Sequence, residues 1–461
     1  MKERPTNRFT NGLNKFFHIT ERGSSVKTEI LGGLVTYLVL CYTVILMPNL
    51  LVGAVGESLY QALLIGTIIC IFVSTLFMGL YGNLPLALAP GIGIVSYMIS
   101  LINSGNYSYH QTLALGFVAG ILFLVITFTG LRTRLINAIP PIIKACIPIG
   151  IGLFIAGIGL NSSNSGILDF LSGNTSTGVV VSACVALFGL ITICVLHNYK
   201  VKGAIFYGII LSTIVDIVIK LCLGTNPFAV LKGSWLPNFA ALGDNMFKLD
   251  FAGLFTANGG SVVAKILSTL LITFSFLLVD LFDTFGTLYG AAKKGNLIDD
   301  QGNIVNFKRA MVVDSASGGI SACFGLPTCT IYVESTAGIS SGARTGLSAT
   351  ITAIMFALTL FVSPLLQIIP VYATAPAIIF VGIQMFADVV NVKMTDFTDI
   401  ASAFMTIVLM PLTSNITYGI AGGLIVYTLL KMFQGKFKEV NVVTYIVSAL
   451  FIVYFATQGL I

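Results

Sequence analysis

Few residues in this sequence could do chemistry, and the most informative are carboxylates set in apolar surroundings. Glu334 stands in LPTCTIYVESTAGIS, residues 326–340, a stretch otherwise apolar, β-prone or small. Asp280 and Asp283 stand in LLVDLFDTFGTLYG, three residues apart and so on one helix face, where both can look inward. A carboxylate at bilayer depth costs about 2.5 to 3.5 kcal/mol on insertion scales, so each is expected to face a cavity or a partner. Asp216, Asp314 and Asp388 read instead as helix-end or packing residues. Asp283 has two readings, substrate contact or an acceptor for backbone N–H groups in an unwound segment. His18, His110 and His197 fall in segments read as loops, which leaves proton exchange within a membrane to the carboxylates. The eight cysteines form no CxxC pair and lie mostly inside apolar runs. They read as small buried hydrophobes, with no metal and no other cofactor expected.

The elements that must hold these acids are membrane helices. Of the 461 residues, 56% are hydrophobic and only 9% charged, and apolar runs recur from end to end. That pattern describes an all-α polytopic membrane protein and excludes a soluble enzyme. Seven runs fall at 29–52, 60–81, 84–102, 111–130, 141–160, 178–196 and 203–223. After a more polar connection carrying the single Trp235, seven more fall at 264–290, 309–325, 329–343, 346–364, 372–389, 398–413 and 415–432, followed by an apolar tail at 441–460. The implied organisation is a polar N-terminal tail (1–28), a first seven-helix repeat (29–223), an outward-facing connection (224–263) and a second repeat with the tail (264–461). The basic leading segment has no short apolar core with a cleavage site, so the N-terminus is expected to stay cytoplasmic. With it inside, twenty of the 24 Lys and Arg residues lie on the cytoplasmic side, and only Lys220, Lys232, Lys248 and Lys265 lie outside.

Seven is odd, so a duplicated seven-helix unit enters the membrane inverted relative to its copy, a common transporter plan. The third run of each half breaks in the same way, as YGNLPLALAPGIGIVSY (81–97) and FGLPTCTIYVESTAGIS (324–340). Each has Gly, then Leu-Pro, a short non-helical stretch, and a start to another helix rich in Gly or Ser. Pro85, Pro90 and Pro327 with Gly91, Gly93 and Gly338 argue against continuous helices there, although ordinary kinks are the simpler alternative. Unwound backbone at matching places in two repeats marks a binding site near the midplane, because only protein or a cavity can satisfy it.

Several words resemble one family: TEILGGLVTYLVLCY (28–42), LALAPGIGI (86–94), IPPIIKACIPIGIGLFIAGIGL (139–160), VDLFDTFGTLYGAAKKGNLIDDQG (279–302), TIYVESTAGISSGARTGLSA (330–349), ATAPAIIFVG (373–382) and LMPLTSNITYGIAGG (409–423). The chain resembles the AzgA-like purine permeases of the nucleobase/ascorbate transporter superfamily along nearly its whole length. VDLFDT and YVES together are specific, whereas APGxG alone is weak. The resemblance implies about 14 transmembrane segments in two inverted seven-helix repeats, divided into core and gate, with the third and tenth broken around short strands. It also implies proton-coupled uptake of hypoxanthine, guanine or adenine. The family's eighth-helix acids correspond to Asp280 and Asp283, and its tenth-helix glutamate to Glu334. One departure stands out. The family usually reads APGMGLNAYF in the third helix, whereas this chain reads APGIGIVSYM and places Val95 at the functional Asn, with Ser96 beside it as a partial substitute.

A purine is a flat neutral ring with N–H donors along one edge, so its site needs an acceptor at a fixed point and little net charge. Glu334 supplies the acceptor, backbone groups around Ala89 and Gly91 supply complementary polar atoms, and Phe282, Phe285 or Tyr332 could stack on the ring. Asp280 is placed in the substrate site and, with Asp283, in proton coupling. The expected partners are a purine nucleobase, a proton and the lipid bilayer, with no nucleic acid; a homodimer is left open. The expected location is a cell membrane, and the short termini point to a bacterial cytoplasmic one. A uracil, xanthine or urate permease is the nearest rival. An anion transporter on the same scaffold would place cations or bare helix N-termini at the break rather than acids. An intramembrane enzyme would need a nucleophile paired with histidine, or a metal cluster.

Overall fold

The computed structural model describes residues 8–129, 139–161, 165–226, 239–243, 245–255, 262–295, 297–298, 304–362, 366 and 368–458. Trp235 and the basic pair Arg132 and Arg134 lie outside the described residues. The apolar runs form helices, as sequences rich in Leu, Ile, Ala and Val without polar interruption should in a medium that forces every backbone group to bond internally. The polar N-terminal tail holds a short helix, α1 (Arg8–Phe17), and the apolar runs of the first half form α2 (Val26–Leu40), α3 (Tyr42–Val55), α4 (Tyr60–Phe77), α5 (Ile92–Asn103), α6 (Tyr109–Thr129), α7 (Pro141–Leu160), α8 (Thr177–Asn198) and α9 (Ala204–Cys222). In the second half they are α10 (Val262–Lys294), α11 (Phe307–Cys323), α12 (Ser335–Ser340), α13 (Gly346–Thr359), α14 (Val371–Phe386), α15 (Phe397–Thr413), α16 (Ile416–Phe433) and α17 (Val442–Gln458). Among the described residues, eight helical segments, from Val26–Val55 to Ile416–Phe433, are long and apolar enough to cross a membrane, and several shorter apolar helices accompany them.

The helix boundaries follow local chemistry. Ser25 caps α2 through the Thr28 amide, Asp396 caps α15 through Asp399, and Asn415 caps α16 through Thr417. Pro141 opens α7, where its missing N–H costs nothing. Ser414 in the left-handed region (φ 50°) lets α15 turn directly into α16, so the two pack along each other.

Three places depart from continuous helix. The first run, expected as one span over 29–52, is one apolar segment, Val26–Val55, built from two helices that meet at Cys41. Pro48, inside α3, removes the amide that would have bonded the Val44 carbonyl, so the ladder is weak along this stretch. After α4 the chain takes a π-helical turn at Met78–Gly82, and Asn83 (φ 47°) ends it. It then runs extended into β1 (Leu88–Pro90) before α5. In the second half β2 (Cys329–Ile331) precedes the short α12. The runs drawn at 84–102 and 329–343 are therefore each a strand followed by a helix. β1 and β2 pair antiparallel, Leu88 with Ile331, Ala89 with Thr330 and Pro90 with Cys329, and all six residues are buried.

Around this strand pair lie α4, α10 and α11, with α13 packed across α2 and α4. A second group joins α7 to α14, α15 and α16, while α14 lies on α7, α8 and α9. The apolar tail is the helix α17, packed on α16 and α10. One end of the molecule is tied by Arg22, which donates to the carbonyls of Asn83 (2.6 Å) and Arg344 (3.2 Å), and by Asn83, which accepts from the Gly346 amide at 2.8 Å. Burial pushes the Arg22 guanidinium below its ordinary pKa, with Glu29 and Glu21 acting against that shift. The buried Glu29 carboxylate accepts from the Arg344 and Thr345 amides at 2.8 and 3.2 Å. At the opposite end Lys265 donates to the Asn106 carbonyl at 3.0 Å, and Tyr109 joins Asn245 to the Gly325 carbonyl. His110 and His197 are not in loops but in the first turn of α6 and the last turn of α8.

Candidate functional site

The strand pair brings the two broken segments together into one rigid unit. Leu88 exchanges hydrogen bonds with the Thr75 hydroxyl of α4, and the Gly91 amide donates to the Thr328 carbonyl at 3.1 Å. The Tyr332 amide donates to the Ala87 carbonyl at 3.0 Å, and the Ala87 amide to the Ser335 hydroxyl at 2.9 Å. These bonds satisfy the unwound backbone locally, as a buried break requires.

Glu334 follows β2 at the start of α12. Its Oε1 accepts a hydrogen bond from the hydroxyl of Tyr42 at 2.8 Å. Its Oε2 is shielded from solvent and has no hydrogen-bond partner among the described residues. The residue as a whole is only partly buried, so the shielding belongs to that oxygen and not to the whole side chain. Tyr42, fully buried, is the first residue of α3, just past the Cys41 junction.

The other sequence-predicted residues divide clearly. Ala89 is fully buried in β1, and Gly91 ends the extended segment before α5. Ser96 is buried in α5 with a hydroxyl that has no hydrogen-bond partner among the described residues. Val95, the departure from the family pattern, is fully buried beside it. The Tyr332 hydroxyl donates to the Pro90 carbonyl at 2.5 Å, which ties the second broken segment to the first. Asp280 is buried in α10, a helix that lies against β2 and α12, and its neighbour Val279 faces Gly93 at the start of α5. The side chains of Phe282, Asp283 and Phe285 lie outside the described residues, although their backbone belongs to α10.

The secondary acids have partners of their own. Asp216 is buried in α9, accepts from Tyr372 at 2.7 Å and pairs with Lys220 at 2.9 Å. Asp314 is buried and accepts from Thr284 at 2.9 Å. Asp388 is exposed beyond α14. Sequence reasoning missed Tyr42, Ser335 and Glu29. Tyr42 and Glu29 both lie within TEILGGLVTYLVLCY, where the acid at the helix start was the available signal.

Comparison with known proteins fits this geometry. Residues 27–422 match the profile of the Permease family. The chain belongs to that family. Within the nucleobase/ascorbate transporter superfamily it falls in the AzgA-like branch. It is 35% identical to guanine/hypoxanthine permease PbuO of Bacillus subtilis (strain 168), over 95% of this chain and 99% of that one. It is 32% identical to adenine permease AdeQ of Escherichia coli (strain K12), over 95% of each. Among solved structures, the transmembrane domain of a cyanobacterium bicarbonate transporter, BicA, superposes with a TM-score of 0.61 at 17% identity, covering 86% of this permease and 97% of that domain. At that identity the likeness speaks for the fold alone. The permease is thus a multi-pass membrane protein whose relatives are transporters.

Proposed function

We propose that this permease is a secondary transporter that imports purine nucleobases, namely hypoxanthine, guanine or adenine, by proton symport. The observation that carries the reading is Glu334: a carboxylate inside a membrane fold, at the meeting of two broken segments, with one oxygen held by Tyr42 and the other buried without a donor. A neutral heterocycle with N–H groups supplies such a donor, and an unmet buried acceptor is costly enough to favour its arrival. The named relatives are guanine/hypoxanthine and adenine permeases. An anion would meet an unfavourable carboxylate at this point.

In this reading the strand pair and its surrounding helices form a core, α7–α9 and α14–α16 form a gate, and α17 lies outside both seven-helix repeats. Support comes from the exchange of neighbours. α7 rests on α14, α15 and α16, and α14 rests on α7, α8 and α9, as two inverted copies should. The end bearing Arg22 and Arg344 faces the cytoplasm, in keeping with the charge bias. Asp280 carries the coupling proton, because it is buried in the helix packed against the Glu334 segment and no histidine lies mid-helix. Protonation of Asp280 removes one negative charge from the loaded core and reduces the cost of moving it past the gate.

The test is uptake of labelled hypoxanthine into vesicles with an imposed inward proton gradient. Guanine and adenine should compete, and uracil, xanthine and urate should not. Asp280→Asn should abolish accumulation while retaining counterflow exchange. Accumulation that ignores the gradient would remove proton symport, and competition by uracil but not by purines would move the substrate to the rival class.

A further inference from the structure

The two oxygens of Glu334 are in different situations, and Tyr42 makes the difference. A phenol has one proton to give, and the Tyr42 hydroxyl gives it to Oε1 at 2.8 Å. Tyr42 is 0% exposed, so its hydroxyl is shielded from bulk water on the tyrosine side of this bond. The ring is held by position as well as by packing. It opens α3 directly after the junction at Cys41, whose thiol bonds the Leu38 carbonyl at 3.2 Å, and Thr43 bonds the Leu40 carbonyl at 2.8 Å. Thus Oε2 is the carboxylate oxygen that no donor among the described residues occupies, while Oε1 already holds one proton donor and is the weaker acceptor for a second.

We infer that Tyr42 is a specificity-determining positioning residue that restricts Glu334 to reading a single N–H of the substrate. The inference rests on the reading of Glu334 as the substrate acceptor. Its consequence concerns two ligands that differ by one group. Guanine carries adjacent donors on one edge, the ring N1–H and the exocyclic 2-amino group, which match both oxygens of a free carboxylate. Hypoxanthine carries the N1–H but has only C–H at position 2. A free carboxylate would favour guanine through a second, charge-assisted hydrogen bond. A carboxylate whose Oε1 already holds the Tyr42 proton offers the 2-amino group only a weakened second bond and distinguishes the two bases less, so Tyr42 gives the site tolerance for both oxopurines.

The experiment measures dissociation constants of guanine and hypoxanthine for the purified full chain, for Tyr42→Phe and for Glu334→Gln. In the unmodified protein the two constants should lie within about threefold. Tyr42→Phe, which removes only the hydroxyl, should shift the ratio toward guanine by about tenfold, the scale of one added bond to a charged group. A structural role for Tyr42 would weaken both ligands together and leave the ratio where it was. An unmoved ratio in Tyr42→Phe, or a tenfold guanine preference already present in the unmodified chain, overturns the inference. The second measurement needs no variant to fold. Glu334→Gln separates the two layers of argument: loss of both ligands with an unmoved Tyr42→Phe ratio leaves Glu334 in place and removes only the role of Tyr42, whereas unchanged binding by Glu334→Gln removes both.

Discussion

The two broken segments share one backbone design and differ in almost everything attached to it. β1 with α5 carries no Asp, Glu, His, Lys or Arg, and its residues from Leu84 to Met98 are buried throughout. β2 with α12 carries Glu334, exposes Val333, and packs α12 tightly on α2. The strands pair residue for residue, so backbone alone does not distinguish the two. The paired strands therefore supply a frame that keeps unwound backbone satisfied, and within it the charge stands on one side only. Under the proposed function, the first segment shapes the site through small and neutral groups and the second fixes the ligand.

The largest expected effect lies in that chemistry. Glu334→Gln keeps the shape and replaces an acceptor oxygen by a donor, so substrate binding should weaken by roughly 1.5 to 3 kcal/mol, about ten- to a hundredfold. Ser96→Ala removes the corresponding neutral polar group of the first segment and should weaken binding by about 1 kcal/mol or less. Both are read by ligand titration of the purified variants. Equal losses would erase the distinction between a charged and a neutral side of the site.

The frame was more legible in the sequence than the contacts made within it. Leu-Pro next to Gly in both halves marks the breaks, because proline removes a donor and glycine removes a side chain whatever the surroundings. Glu334 is visible because a carboxylate in an apolar run has no inexpensive explanation. Tyr42 is not visible. It lies 292 residues from Glu334, and a tyrosine within an apolar run reads equally well as packing. The interruption at Cys41 carries no glycine or proline at the junction itself, and its trace, Pro48, lies further along the helix. Asp216 could have been read more sharply, since Lys220 stands one helical turn away, but its bond from Tyr372 spans 156 residues. Pairings between residues so far apart in the chain depend on the packed fold, and the local sequence pattern does not encode them.

The packing difference predicts a second, smaller contrast. Gly338 in α12 faces α2 so closely that an added Cβ would overlap Thr36 Oγ1 and the Gly32 carbonyl oxygen. Close backbone approach through small residues is how membrane helices gain contact, and neither helix can retreat without moving its neighbours. Gly338→Ala should cost about 1 to 3 kcal/mol of stability. At Gly91 the nearest atoms are the Thr330 side-chain oxygen and methyl at 3.2 and 3.3 Å, which can yield by small adjustments. Gly91→Ala should therefore lower the melting temperature in detergent less than Gly338→Ala. The reverse order would mean that the first segment, not the second, is the tightly docked one.

The smallest contrast concerns how each segment meets the other helices at its far end. On the first segment, Tyr97 shares a hydrogen bond with Thr417 at the start of α16, and Ser100 donates to the Ser414 carbonyl in the α15–α16 turn. Tyr97 and Thr417 are buried. On the second segment the matching contact is a single bond, from the exposed Lys202 in the α8–α9 turn to the Ser341 hydroxyl at 2.7 Å. A buried hydroxyl that loses its partner retains the desolvation cost, whereas an exposed ammonium recovers water when its partner is removed. Thr417→Val should thus destabilise the purified protein by about 1 kcal/mol, while Lys202→Ala should stay within about 0.5 kcal/mol. Under the core and gate reading, these contacts lie on opposite sides of the membrane and must open in alternation. The weaker one should then release first, and a cysteine at Ser341 should react with a thiol reagent faster than one at Ser100. Faster labelling at Ser100, together with a larger melting shift for Lys202→Ala than for Thr417→Val, would reverse the assignment of the strong and weak ends.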